Sequence, residues 1–340
     1  MKRIDKYWYT KNKLAIVLLP LSLLFRLITI VRRFCYRVGI FTVYEVSVPV
    51  IVVGNINVGG TGKTPLVIWL ANHLKKEGYT PGIISRGYGG NAQSWPQQVR
   101  SDSDPRVVGD EAVLLARGTQ CPVAVAPNRV AAAASILQHE HCDIIISDDG
   151  LQHYALHRDL EIAVVDGMRR FGNGFYLPAG PLREPRKRLR SVDLVVANGQ
   201  AAANEFSMAL LGKEVINVRD RKLKRSLLEF RGKEVHAIAG IGNPSRFFSY
   251  LRLLGMKVVE HAFPDHHAFT QQDLSFAENK IIMMTEKDAV KCTRYCHVDS
   301  WYVAVEANME PEFSNKLREK VKTIAFNNEN NKQISQYRFL

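Results

Sequence analysis

The stretch VPVIVVGNINVGGTGKTPLVIWLANHLKKEG, residues 48–78, decides the fold. Its opening, through Ile56, is a continuous β-branched run of strand length, the pattern of a strand buried on both faces. Pro65 suits the first turn of a helix, where its missing N–H does no harm. Beyond it Leu66, Trp69, Leu70, His73 and Leu74 recur at helical spacing until Gly78 ends the run. Between strand and helix lies NVGGTGKT, residues 57–64, close to the pattern G-x-x-x-x-G-K-[ST]. Glycines are needed there because successive backbone N–H groups must turn inward on phosphate oxygens, and a Cβ would block the approach. Lys63 is expected to reach the β- and γ-phosphates, and the Thr64 hydroxyl to bind Mg²⁺. Asn57 stands where the pattern opens on glycine, and Asn also accepts the positive φ of such a turn. Asn57, Val58, Gly59, Gly60, Thr61, Gly62, Lys63 and Thr64 therefore read as an ATP site at a helix N-terminus.

The same grammar repeats outward. TPGIISRGYGG, CPVAVAPNR, CDIIISDDGLQH, EIAVVDG and VDLVVANG each read as a buried strand running into a loop. In CDIIISDDGLQH the paired acids Asp148 and Asp149 follow the strand, where a glycine loop of this kind finds its magnesium partner. Asp166 also ends a strand, but turn chemistry suffices for it. The basic stretch GPLREPRKRLR fits a phosphate clamp and a solvated loop equally well. A second unit opens near residue 231, where EVHAIAGIGNPSRFFSYLRLLG and KIIMMTEKDAVKC each read as strand, turn and helix. The expected architecture is α/β: a P-loop NTPase-type doubly wound parallel sheet, a second, smaller α/β domain and an N-terminal membrane-associated helix. The expected boundaries are 1–38 for the anchoring segment, 39–230 for the kinase domain and 231–325 for the smaller domain. Residues 326–340 read as a polar, disordered tail.

Charge supports the N-terminal assignment. Of the formal net charge of +13, residues 1–37 carry +8, from nine Lys and Arg against Asp5 alone. The remainder is only mildly basic, so an anionic membrane surface fits better than nucleic acid. Within that segment LAIVLLPLSLLFRLITIV, residues 14–31, is about the shortest length that spans a bilayer, and Pro20 and Arg26 interrupt it. A single span and a helix lying in the interface both fit. The five cysteines contain no C-x-x-C pair and read as reduced thiols.

The chain resembles the tetraacyldisaccharide 4′-kinase family, inner-membrane enzymes of lipid A biosynthesis. The resemblance is carried by VVGNINVGGTGKTP, SRGYGG, GDEA, DDGLQH, DGMRRFGNG, LPAGPLREP, AGIGNPSRFF, DHHAF and MTEKDAVKC, in that order from about residue 45 to residue 292. In that family Asn usually stands where Asn57 stands, and Pro often stands where Ala112 does. The resemblance implies ATP and Mg²⁺ as cofactors and transfer of the γ-phosphate to the 4′-hydroxyl of a tetraacylated glucosamine disaccharide 1-phosphate. It also implies a place on the cytoplasmic side of the bacterial inner membrane. Carried over by motif, it makes Asp110 of GDEA and His266 of DHH the catalytic pair, with Lys63 on the transferring phosphate. It makes Arg183 and Glu184 active-site loop residues, and Thr64, Asp148 and Asp149 the metal side.

Rival classes lack their signatures. A GTPase switch needs N-K-x-D and D-x-x-G, and neither is present. A ligase of the dethiobiotin-synthetase kind has no use for the basic apolar N-terminus, and a non-catalytic adaptor none for Lys63, Thr64, Asp148 and Asp149. No obligate protein partner is implied. Asn198, ending VDLVVAN, is the candidate adenine contact.

Overall fold

The computed structural model describes residues 4–10, 13–277 and 279–337. Lys2, Arg3 and Lys11 of the basic segment, and 338–340 of the expected tail, lie outside them.

The described residues form one mixed, mostly parallel sheet. Its strands are β1 (Val50–Gly54), β2 (Pro81–Ser85), β3 (Gln97–Val99), β4 (Val123–Val125), β5 (Ile144–Asp148), β6 (Leu160–Asp166), β7 (Leu194–Asn198), β8 (Phe206–Asn217), β9 (Lys224–Ser226), β10 (Glu234–Ala239), β11 (Lys257–Ala262), β12 (Ile282–Thr285) and β13 (Ser300–Met309). The helices are α1 (Lys13–Val17), α2 (Leu19–Arg37), α3 (Lys63–Lys76), α4 (Pro105–Val108), α5 (Asp110–Thr119), α6 (Arg129–His139), α7 (Pro244–Leu253), α8 (Glu286–Cys292) and α9 (Pro311–Tyr337). Strand order is β11-β10-β12-β13-β8-β7-β6-β1-β5-β2-β4-β3, with β9 beside β8. The pairs β8–β13, β3–β4 and β8–β9 are antiparallel and the others parallel.

Period-two alternation explains the central strands. Ile51 and Val53 enter one core with residues of α3, α5 and α9, while Val50 and Val52 enter another with residues of α6. With both faces covered, polar side chains on β1 would be stranded, and VIVVG is apolar throughout.

The packing does not follow the expected boundary at 230/231. The long antiparallel ribbon of β8 and β13 straddles the two halves, pairing from Met208↔Met309 to Asn217↔Trp301. Val215 and Val303 belong to the core of the second half, whereas Met208, Ala307 and Met309 belong to that of the first. After β13 the chain returns, and Phe313, Leu317 and Val321 of α9 pack into the first core. Strands long enough to serve two cores leave no composition change at the crossing. The segment read as a disordered tail continues α9 to Tyr337. It is polar but contains neither Gly nor Pro, and polarity alone does not break a helix.

α2 lies against the body along one face. Ser22 Oγ donates to the Tyr176 carbonyl at 2.8 Å, the Arg26 guanidinium sits 5.5 Å from the Tyr176 ring, and Tyr36 meets Tyr154 at 5.9 Å. Its other side leaves Leu21, Leu24, Leu27, Ile28, Val31 and Phe34 exposed. Among the described residues no helix is long and apolar enough to cross a membrane.

Candidate active site

β1 ends at Gly54, and a turn leads to α3, which begins at Lys63. Gly62 caps the helix at φ 96°, and a Cβ there would stand 2.6 Å from the Asn198 amide nitrogen. Glycine is required on both counts. The loop's carbonyls are engaged by surrounding donors: Asn198 Nδ2 to Thr61 O at 3.1 Å, Arg169 Nη2 to Gly60 O at 3.1 Å, Asn55 Nδ2 to Gly59 O at 3.3 Å. Asn57 departs from the expectation. It is not among the residues with positive φ; it pairs in extended form with Leu182 and donates Nδ2 to the Arg170 carbonyl at 2.6 Å. The strand-like path continues through Asn57, so the tight turn starts after it.

The acids at the end of β5 divide the work. Asp149 takes φ 46°, a left-handed conformation that turns its carboxylate to Lys63 Nζ at 3.4 Å and Arg183 Nη1 at 3.1 Å. Burial would raise its carboxyl, but those two cations outweigh it and hold it well below the usual carboxylate range. Asp148 is enclosed, with Oδ2 3.5 Å from Ser85 Oγ and Oδ1 without a hydrogen-bond partner. Burial, with the charge of Glu111 next, pushes its carboxyl well up. Arg129, itself buried, donates to the Asp149 carbonyl at 3.2 Å and steadies this strand end.

Asp110 opens α5, where an acid suits the helix dipole. It comes from the first half of the chain, yet Oδ2 lies 3.2 Å from Nδ1 of His266, which the second half supplies at φ 58°. Burial would raise the Asp110 carboxyl, but His266, Lys287 and Lys291 outweigh it and hold it down. The approach is close but not yet an aligned hydrogen bond, since Asp110 Oδ2 has no aligned donor. Catalytic contacts often tighten only when substrate is bound.

One cleft of about 520 Å³ is lined by Gly59–Thr64, Glu111, Asp149 and Arg183 from the first half of the chain and by His266 and Lys287 from the second, with the buried Asp110 behind His266 and outside the lining. Glu184 is not among its lining. The buried carboxylate accepts from Gln152 Nε2 at 2.7 Å and Tyr154 Oη at 2.6 Å and pairs with Arg188. It braces the loop that carries Arg183, because its neighbours face inward. Asn198 likewise holds the turn, donating to Thr61 and accepting from Arg246 Nη2 at 2.8 Å.

Sequence reasoning missed Arg169, Arg246 and Lys287. Arg169 links Gly60 O to Gly242 O, at 3.1 and 3.0 Å, where the two glycine turns meet; a Cβ on Gly242 would stand 2.8 Å from Gly60 N. The signal lay in DGMRRFGNG, AGIGNPSRFF and MTEKDAVKC, which sequence reading noted without giving these residues roles.

The donor set fits Mg²⁺, which asks for one or two carboxylates beside phosphate oxygens and water. Thr64 lines the cleft and Asp149 faces it, while Asp148 presents a buried oxygen with no protein donor.

A family profile described as Tetraacyldisaccharide-1-P 4′-kinase, LpxK, matches residues 14–322. A tetraacyldisaccharide 4′-kinase of Nitrosococcus oceani is 54% identical over 310 residues, 91% of this chain and 91% of that one. One of Pasteurella multocida is 49% identical over 311 residues, 90% of this chain and 95% of that one. The crystal structure of LpxK from Aquifex aeolicus in complex with ATP superposes with a TM-score of 0.77 at 30% identity, covering 92% of this chain and 99% of that one. Likeness over nearly the whole length in sequence and in fold leads to one conclusion: the chain belongs to the tetraacyldisaccharide-1-P 4′-kinase family.

Proposed function

We propose that this family member transfers the γ-phosphate of ATP to the 4′-hydroxyl of a tetraacyldisaccharide 1-phosphate, a lipid A precursor, with Asp110 as the base. One observation carries the residue roles: the glycine loop with Lys63 and His266 open on the same cleft from opposite halves of the chain, and the buried Asp110 stands 3.2 Å behind His266. A sugar hydroxyl is a poor nucleophile at neutral pH, so a carboxylate near it is the expected device. Asp110 accepts the hydroxyl proton as the sugar oxygen bonds to the γ-phosphorus and the bond to the β-phosphate oxygen breaks, releasing ADP. Lys63 and Arg183 neutralise charge on the transferring group. Thr64, Asp148 and Asp149 would hold Mg²⁺, which when bound neutralises the β- and γ-phosphates. Adjoining the cleft is a hollow of about 560 Å³ lined by Leu210, Ile241, Phe247, Tyr250 and Val305, apolar room suited to the base. The exposed apolar side of α2, with Arg26, Arg32, Arg33 and Arg37 on the same helix, seats the enzyme in the interface of the cytoplasmic leaflet of the inner membrane.

The test is transfer of labelled γ-phosphate from ATP to the 4′-position of a tetraacyldisaccharide 1-phosphate in detergent. Label on the lipid with the wild type, and its loss with Asp110→Ala, is the expected result. Label appearing with Asp110→Ala at the wild-type rate would remove Asp110 as the base.

A further inference from the structure

Lys287 occupies a position that local physics disfavours. It is the second residue of α8, and a cation in the first turn opposes the helix dipole. Acidic residues fill the same turn on either side, Glu286 and Asp288. A residue that breaks a local rule and is held there by its surroundings marks a functional demand. The surroundings are specific. Lys287 Nζ, on a side chain only 16% exposed, lies 3.0 Å from Glu111 Oε1, 3.4 Å from Asp265 Oδ1, 4.0 Å from Asp110 Oδ2 and 3.2 Å from His266 Nε2.

The last contact has a consequence for the histidine. An ammonium carries three donors and no acceptor, so Nε2 of His266 must present its lone pair to Lys287. The ring proton is then on Nδ1, the nitrogen 3.2 Å from Asp110 Oδ2. Doubly protonated, the ring would set an N–H against the ammonium.

We propose that Lys287 is a positioning residue that fixes His266 in the neutral Nδ1–H form, so that the imidazole orients Asp110 without becoming its permanent counter-ion. The inference rests on the reading of Asp110 and His266 as the base pair. A histidine beside a carboxylate ordinarily gains a proton, and a full ion pair would make Asp110 a weaker base. The groups in contact with the ring bear on this balance: Asp110 from α5, Asp265 from its own loop, Lys287 from α8, and the Tyr88 ring at 4.7 Å, with Glu111 of α5 acting through its contact to Lys287. Lys291, the next cation along α8, is 2.8 Å from Asp288 and 4.0 Å from Asp110, and no contact joins it to the ring. Lys287 is therefore the group that faces Nε2 with positive charge.

Two measurements on the full chain test this. The first is NMR of the imidazole nitrogens in the wild type, with His266 assigned by the signal lost in His266→Ala. An unprotonated Nε2 and a protonated Nδ1 at neutral pH are expected, against the preference of free imidazole; a protonated Nε2 overturns the proposal. This readout needs no turnover and stands even if the phosphate acceptor is another molecule. The second compares Lys287→Met and Lys287→Arg in the kinase assay. Lys287→Met should lower kcat by about 10- to 100-fold at neutral pH, leave KM for ATP within about twofold, and move the acidic limb of kcat upward by about one pH unit. Lys287→Arg, which keeps the charge, should recover most of kcat and the wild-type limb. A Lys287→Met loss that is equal at every pH, with Nε2 unchanged, makes Lys287 a structural clamp and overturns the proposal.

Discussion

On the interfacial seating proposed for α2, replacing Leu24, Ile28 and Val31 together by serine should weaken binding to membranes without touching the nucleotide site. These three lie at spacings of four and three on α2 and are 54%, 56% and 50% exposed, so the fold leaves about half of each side chain unburied. Full burial of such a side chain is worth about 1.5–3 kcal/mol, so the unburied half of each offers about 1 kcal/mol to a lipid phase. The triple change then removes about 3 kcal/mol, or about a hundredfold in partition coefficient. Docking of the helix should survive, because Ser22, Arg26 and Tyr36 make the contacts to the body from another side. Cosedimentation with vesicles of anionic phospholipid measures the partition, and ATP binding to the free protein is the control. Residual attachment of the variant should be salt-sensitive, since the arginines of α2 contribute about 1 kcal/mol each near a charged surface. An unchanged partition coefficient would refute the interfacial role of this face. Loss of ATP binding in parallel would show that the face belongs to the fold.

Lys63→Ala should cut turnover by about a hundredfold or more while the protein stays folded, because Asp149 keeps Arg183 at 3.1 Å; near-normal kinase activity would remove Lys63 from phosphate handling. Asp110→Ala and His266→Ala should not multiply: the double variant is expected within about threefold of the poorer single one, and fully multiplying losses in kcat would show two independent roles. Burial, aided by Arg129 and Arg158, holds the His153 imidazole down to about 4, below its ordinary 6.5. The unfolded chain therefore binds this proton first, so the contribution is full above pH 6.5 and is lost as pH falls through about 4. Thermal melts across that window should slope less in His153→Gln than in the wild type, and parallel slopes would contradict the assignment.

The sequence by itself determined whatever depends on near neighbours in the chain. The β-branched run before Asn55, the glycines at 59, 60 and 62 and the apolar spacing from Leu66 to Leu74 predict strand, loop and helix, and the structure has β1 and α3 there. Asp148 and Asp149 were legible as strand-end acids, and the apolar start as a helix, for the same reason. Asp110 and His266 were named only through resemblance, since alone each reads as an ordinary polar residue. Tertiary structure decided the rest. Glu184 turned inward to Gln152 and Tyr154, and Asn57 served Arg170 where a left-handed turn was expected. Arg169 and Lys287 acquired their partners only because the β8–β13 ribbon carries the second half of the chain alongside the first. Periodicity and turn chemistry are written in adjacent residues, but which side chain faces which across a cleft is set by strand order and by burial, and these exist only once the whole sheet has formed.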